Sequence, residues 1–213
     1  MAVICREHNL LFIQNPRTAS STIGRFLVKH CGGEFVPRDD EKAWGFRKHA
    51  SLEDIEQSRQ VDPQHMAACL SFGAVRNPFD SIASLYQKML NDSRLPLKKQ
   101  RRRWWWNRTK RRRQVKYAAR HTFDEFVERF VASESHPNLT GRLDGVQVVL
   151  RFERISHGLF DVLSRAGLEV DRDLPTRNAT SNKTAYRDYY SERSRVVVET
   201  TYRDVLDQYE YSF

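Results

Sequence analysis

The chain has 213 residues, of which 39% are hydrophobic and 30% are charged. This length fits one domain with its own core, and the three widely spaced cysteines (Cys5, Cys31 and Cys69) predict reduced, buried thiols and exclude a disulfide framework or a metal-binding pair. No apolar run reaches the 18 residues of a membrane span, and the first residues lack a signal-peptide pattern, so we expect a cytoplasmic protein.

The positive charge lies mostly in one part of the chain. The formal net charge is +9, and twelve of the 36 Lys and Arg fall between Lys98 and Arg120, where there is no Asp or Glu. The other 24 are outnumbered by 27 Asp and Glu. We therefore predict a single domain over residues 1–213 with a basic, Trp-rich insertion at about residues 94–120.

In chain order, the first half alternates apolar runs with helical periodicity. Residues 9–14 predict a buried strand, and a helix follows that ends at Gly32 and Gly33. Ser51 is a helix cap followed by two acidic residues. Residues 69–75 predict a second strand, and Pro78 begins the next helix.

The same alternation resumes after the basic stretch. A helix begins at about Thr122, residues 145–152 predict a third strand, and residues 155–166 predict a helix that ends at Gly167. The tail, residues 185–213, suits a C-terminal helix. Three apolar strands separated by helices indicate an α/β fold, with a central parallel sheet flanked by helices in three layers.

The first candidate site is the turn between the first strand and its helix. Arg17 can fork onto two anionic oxygens, and the hydroxyls of the following serines and threonine can donate to phosphate or sulfate at the helix N-terminus. An ordinary helix start capped by Ser or Thr would look similar. The turn lacks GxxxxGK[ST], which argues against an ATPase or GTPase of that type.

The second candidate site follows the second strand. The strand ends in Arg76, a helix begins at Pro78, and Ser84 lies eight residues after the arginine. An arginine and a hydroxyl two helical turns apart suit a terminal phosphate if the chain turns around it.

These two segments resemble motifs of the sulfotransferases that use 3'-phosphoadenosine 5'-phosphosulfate (PAPS). Residues 16–22 (PRTASST) resemble the family's 5'-phosphosulfate loop, and residues 75–78 (VRNP) with 84–86 (SLY) resemble its 3'-phosphate motif. Residues 150–153 (LRFE), Leu174 to Asn178 with Lys183, and the C-terminal residues resemble the bacterial and carbohydrate-type branch.

The resemblance implies a P-loop-like fold and a binding site for PAPS, which the reaction converts into the product PAP. The residues that it places on the cofactor are Arg17, Thr18, Ala19, Ser20, Ser21, Thr22, Arg76, Ser84, Arg151 and Lys183. Arg17 replaces a frequent lysine. Because arginine does not give up its proton, Arg17 would assist catalysis only electrostatically. Arg151 could equally be part of a salt bridge at the strand end.

An acceptor hydroxyl must lose its proton, and we predict His49 as the general base. Histidine ordinarily titrates near neutral pH, His49 precedes a helix start, and it resembles a histidine of the related branch. A capping or surface histidine is the alternative, with Glu53 and Glu41 as other bases. Sulfuryl transfer needs no metal in principle, and we expect none, because the sequence has no metal-ligand pattern.

The basic segment interleaves cations with Trp104, Trp105 and Trp106. Such a pattern can bind a polyanion, stack on sugar or base rings, lie on an anionic membrane, or pack back onto the domain. Our hypothesis is that it covers the acceptor cleft and favours a carbohydrate or anionic acceptor. Two other functions are alternatives to a sulfotransferase. One is a nucleic-acid or polyanion-binding module, although a nucleic-acid partner is disfavoured. The other is a nucleotide kinase, which would need a lysine in the turn and magnesium.

Overall fold

The computed structural model describes residues 2–36, 49–96, 108–133, 136–171, 173–175 and 180–213. They belong to two compact units. The first comprises Met1–Arg76 and Asn138–Asn178, and the second comprises Asn77–Pro137 and Ala179–Phe213. The first unit holds a β-sheet and its covering helices, whereas the described part of the second is built from helices.

The first unit has a five-stranded sheet in the order β3-β1-β2-β4-β5. Its strands are Ala2–Cys5 (β1), Leu10–Ile13 (β2), Glu34–Val36 (β3), Leu70–Val75 (β4) and Val148–Arg151 (β5). The three predicted strands are β2, β4 and β5, and they are parallel, whereas β1 runs antiparallel to both of its neighbours. The predicted central parallel sheet is thus confirmed. The sequence analysis did not predict β1 and β3.

Helices cover both faces of this sheet. They are Ser20–His30 (α1), Leu52–Ser58 (α2), Pro63–Ala68 (α3) and, later in the chain, Ile155–Arg165. Strand residues alternate between the faces: Leu10 and Phe12 pack with α1 and the late helix, whereas Leu11 and Ile13 pack with Ile55 of α2. The three-layer α/β/α arrangement follows from this alternation.

The start of α2 agrees with the sequence prediction, whereas the ends of β5 do not. Ser51 caps α2 in a capping box with Asp54, as a Ser followed three residues later by an acid predicts. The predicted third strand is shorter than expected. Gly145 adopts a φ of +75°, which makes a turn, and Phe152 begins a 3-10 turn.

The second unit packs helices around aromatic side chains. Its helices are Pro78–Ser93 (α4), Arg108–Ala118 (α5), Phe123–Phe130 (α6), Glu192–Thr201 (α8) and Arg203–Gln208 (α9). The label α7 is given to the helix Ile155–Arg165 of the first unit. Tyr86 of α4 meets Phe123 and Phe126 of α6 edge to face, at centroid distances of 5.3 and 5.2 Å. None of the helices in the described ranges has both the length and the apolar composition of a membrane span.

One feature of this unit was not predicted from the sequence, and a second differs from the prediction. The basic stretch contains a helix, α5, because Val115 and Ala118 are buried on one of its sides. The tail is not one helix. It contains a 3-10 turn at Tyr186–Tyr189 and then α8, which begins after a capping box at Ser191. Ser191 competes for the helical N–H groups and so begins a new helix there.

Candidate cofactor and active site

The turn after β2 has the backbone of an anion site. Arg17 and Ala19 both adopt left-handed conformations, with φ of 66° and 56°, which cost about 1–3 kcal/mol each for residues other than glycine. Ala19 caps α1 without a side-chain hydrogen bond, and the first turn of α1 contains no acidic residue. The helix N-terminus therefore offers N–H groups and partial positive charge to an anion.

The predicted hydroxyl residues lie in and after this turn. The Thr18 hydroxyl donates to the Asn15 carbonyl oxygen at 3.0 Å and so closes the turn. Ser20 and Thr22 are buried and Ser21 is half-buried. Thr22 Oγ1 has no hydrogen-bond partner among the described residues. A buried hydroxyl without a partner has a donor unused by the protein, which fits an anionic ligand at this helix end.

Arg76 follows β4 in the same unit and contacts the turn. Its Nη1 donates to the Arg17 carbonyl oxygen at 3.3 Å, and its Cζ lies 4.1 Å from the centroid of the Phe152 ring. Arg151, which pairs with Val75 in the parallel ladder, is exposed at the neighbouring strand end. The structure therefore brings Arg76 to the turn that carries Arg17, although 59 residues separate the two arginines in the chain.

His49 is held by a backbone carbonyl next to the turn. Its Nδ1 lies 2.7 Å from the carbonyl oxygen of Gln14, the residue that follows β2. Because a carbonyl oxygen only accepts hydrogen bonds, Nδ1 carries the proton in the neutral ring and Nε2 carries the lone pair. This tautomer is the one a general base needs if the acceptor meets Nε2. Glu53 is exposed on α2, and Glu41 lies outside the described residues.

The predicted residues of the second unit have partners within that unit. Ser84 is 2% exposed, and its hydroxyl lies 2.9 Å from that of Thr180. Lys183 forms an ion pair with Asp80, one helical turn before Ser84 on α4. These contacts attach the segment after residue 180 to α4, and the role of both residues toward a cofactor stays a prediction. Asn178 lies outside the described residues.

Sequence reasoning missed two asparagines that organise the turns. The Asn15 amide donates to the carbonyl oxygens of Ala74 and Leu139 at 2.9 and 2.8 Å. The Asn77 side chain accepts from the Phe79 N–H at 3.0 Å and so caps α4. Each asparagine directly precedes a proline, and the Asn-Pro pair is the sequence signal that could have identified both.

The basic insertion contributes the exposed face of α5. Arg112, Arg113 and Lys116 of α5 are exposed, and so is Arg120 just after its end. Together these cations can attract an anion by their charge. The three tryptophans of the insertion lie outside the described residues.

The sulfotransferase family model matches residues 1–212, and the chain therefore belongs to the sulfotransferase family. No curated protein and no solved structure was found to match it. The family match covers both motif segments and makes the chain an enzyme that transfers a sulfuryl group. It agrees with the P-loop-like α/β fold, and it implies PAPS as the cofactor.

Proposed function

We propose that the chain transfers the sulfuryl group of PAPS to a hydroxyl or amine by in-line displacement. One observation carries this proposal. The turn at residues 15–19, called the anion-binding turn below, adjoins the ends of the parallel strands β2 and β4, and so do Arg76 and His49. The carboxyl ends of parallel strands are where α/β proteins bind nucleotides. Bound PAPS supplies the reactive sulfur and the phosphate that leaves.

Arg17 and the start of α1 would hold the 5'-phosphosulfate. The guanidinium and the N–H groups of the first helical turn would neutralise the charge that grows on the leaving phosphate as its bond to sulfur breaks. Arginine keeps its proton at ordinary pH, so Arg17 acts by charge and position. The hydroxyls of Ser20, Ser21 and Thr22 would add hydrogen bonds.

His49 would act as the base toward the acceptor. As the acceptor oxygen or nitrogen bonds to sulfur, its proton passes to Nε2, and the bond from Nδ1 to the Gln14 carbonyl keeps the ring in position. The resulting imidazolium would be stabilised because Nδ1 already donates to that carbonyl. Because Arg17 and His49 would together supply the charge stabilisation and the base, we propose that the reaction needs no metal ion.

Arg76 would bind the 3'-phosphate, as the motif resemblance suggests, with Arg151 at the next strand end as a further cation. For Ser84 and Lys183 the support is the sequence resemblance alone. A guanidinium held by both a carbonyl and an aromatic ring is oriented before the ligand arrives, which lowers the cost of binding.

Titration calorimetry with PAP tests the cofactor. We expect PAP to bind without metal. Replacing PAP by 5'-AMP as the ligand, or Arg76 by alanine in the protein, should weaken binding by roughly 10- to 100-fold. Each change removes charge-assisted hydrogen bonds worth about 1.5–3 kcal/mol. Arg25→Ala, at an exposed position of α1, is the control and should bind PAP normally. A folded sample that does not bind PAP would contradict the proposal.

The acceptor is proposed to be a carbohydrate or an anionic molecule, because α5 exposes cations and the adjoining sequence contains three tryptophans. Replacing Trp104, Trp105 and Trp106 by alanine should raise the KM for such an acceptor. The Kd of PAP should not change. Unchanged acceptor kinetics with labelled PAPS would exclude a role of the tryptophans in acceptor binding.

The cationic face of α5 also supports a second candidate, a polyanion or nucleic-acid-binding module. That function predicts tight binding of single-stranded DNA with a steep salt dependence and no effect of PAP. Fluorescence anisotropy with labelled DNA, with and without PAP, distinguishes the two functions.

A further inference from the structure

Asn15 lies between β2 and the anion-binding turn and is 1% exposed. Its Nδ2 donates to the carbonyl oxygens of Ala74 and Leu139. Because both partners can only accept, the orientation of the amide is determined and both of its protons are used. The side chain thus joins the end of β2 to the end of β4 and to the segment that precedes β5.

These bonds continue the sheet where its ladder stops. The β2–β4 register ends with Phe12 opposite Phe72. Beyond that pair, Asn15 donates across to Ala74, and Arg76 donates back to the Arg17 carbonyl oxygen. The two bonds run in opposite directions and fasten the turn to the strand end that leads to Arg76.

The neighbours of Asn15 extend this connection. Its own carbonyl oxygen accepts from the Thr18 hydroxyl within the turn, and the carbonyl of the preceding Gln14 accepts from His49. The position of this one backbone segment therefore sets the positions of the turn, of Arg76 and of the imidazole.

The Asn15 amide has a cost that an apolar residue would avoid. Its Oδ1 is buried and has no hydrogen-bond partner among the described residues, which destabilises the folded state. An asparagine at such a position is explained by its two N–H bonds. Because protein carbonyl oxygens accept from both of its N–H groups, Asn15 acts through its neighbours.

We propose that Asn15 is a positioning residue for sulfuryl transfer, and that its amide holds the Arg17 turn, Arg76 and His49 in one relative geometry. This inference rests on the proposed function. Its site is the hydrogen-bonded junction of residues 14–18 with Ala74, Arg76 and Leu139.

The test compares Asn15→Leu with Gln147→Ala. Gln147 accepts from the Ser71 N–H at 2.8 Å and so joins β4 to β5 at the opposite end of β4, away from the turn. Both variants should lower the melting temperature. Only Asn15→Leu should also weaken PAP binding about 10-fold and lower kcat about 10-fold or more, because small displacements of binding groups are costly.

A second variant separates the donors of Asn15 from its shape. Asn15→Asp keeps the size of the side chain, but an ionised carboxylate cannot donate a hydrogen bond to the carbonyl oxygens of Ala74 and Leu139. A protonated carboxyl can donate to one of them. Burial beside carbonyl oxygens favours that protonated form, so the PAP affinity of Asn15→Asp relative to the wild type should rise as the pH falls from about 8.5 to 5.5.

The inference is overturned if Asn15→Leu binds PAP and turns over as Gln147→Ala does, or if the relative affinity of Asn15→Asp does not change with pH. Should Asn15→Leu fail to fold, the pH series of Asn15→Asp decides. A wild-type protein that does not bind PAP would contradict the proposed function, which is a different result.

Discussion

At the scale of single residues, one hydrogen bond determines which nitrogen of His49 carries the proton in the neutral ring. The Gln14 carbonyl oxygen accepts from Nδ1, and Nε2 is the nitrogen that the proposed function assigns as the base. The sequence analysis predicted this role for His49 from its residue type, its place before a helix and the family resemblance. It had no means of finding Gln14, because the two residues are 35 positions apart.

This geometry predicts the phenotype of His49→Ala and His49→Gln. Both should lower kcat by about 10²–10⁴-fold, the usual contribution of a general base, and leave the Kd of PAP within about twofold. Steady-state rates with labelled PAPS check this, and a variant that keeps the wild-type rate would exclude His49 as the base.

At the scale of elements, α5 is attached to α4 by a buried charge. Arg111 of α5 donates to the carboxylate of Asp92 at 2.5 Å, and Asp92 is 1% exposed. The sequence shows α5 as one cationic run, and its pattern does not distinguish Arg111 from its neighbours. Packing makes the distinction, because Arg111 faces α4 whereas Arg112 is exposed.

Arg111→Ala should therefore destabilise the protein, since it removes a partner from a buried carboxylate. We expect a loss of about 1–3 kcal/mol in the free energy of unfolding, measured with urea. Arg112→Ala, one residue along the helix, should change it by less than about 0.5 kcal/mol. Equal effects of the two variants would show that the ion pair contributes nothing specific.

At the scale of the whole molecule, both units bury acids that are neutral at pH 7. In the first unit, burial, with smaller effects from Cys31 and Cys69, raises the pKa of Cys5 from 9.0 to about 12. In the second, burial raises the pKa values of Tyr190 and Tyr202 well above the ordinary value. All three groups ionise more readily in the unfolded chain than in the folded one.

The sign of the pH dependence follows from these shifts. A group with a raised pKa in the folded state contributes its full stability below its ordinary pKa and loses it as the pH rises toward the shifted value. The free energy of unfolding should therefore fall from pH 9.0 upward. Chemical unfolding at a series of pH values checks this, and Cys5→Ala should make the decline shallower. A stability that does not change up to pH 11 would contradict the burial of these groups.

By itself, the sequence determined the order of strands, turns and helices around residues 9–30 and 69–86, together with the two turns that carry Arg17 and Arg76. Those features depend on neighbours within a few positions, where apolar period, caps and Asn-Pro pairs act directly. Only the tertiary structure decided the strand order, the contact of Arg76 with the Arg17 turn, the partner of His49 and the junction at Asn15. Each of these joins residues far apart in the chain, and no local preference specifies which distant carbonyl a side chain will meet.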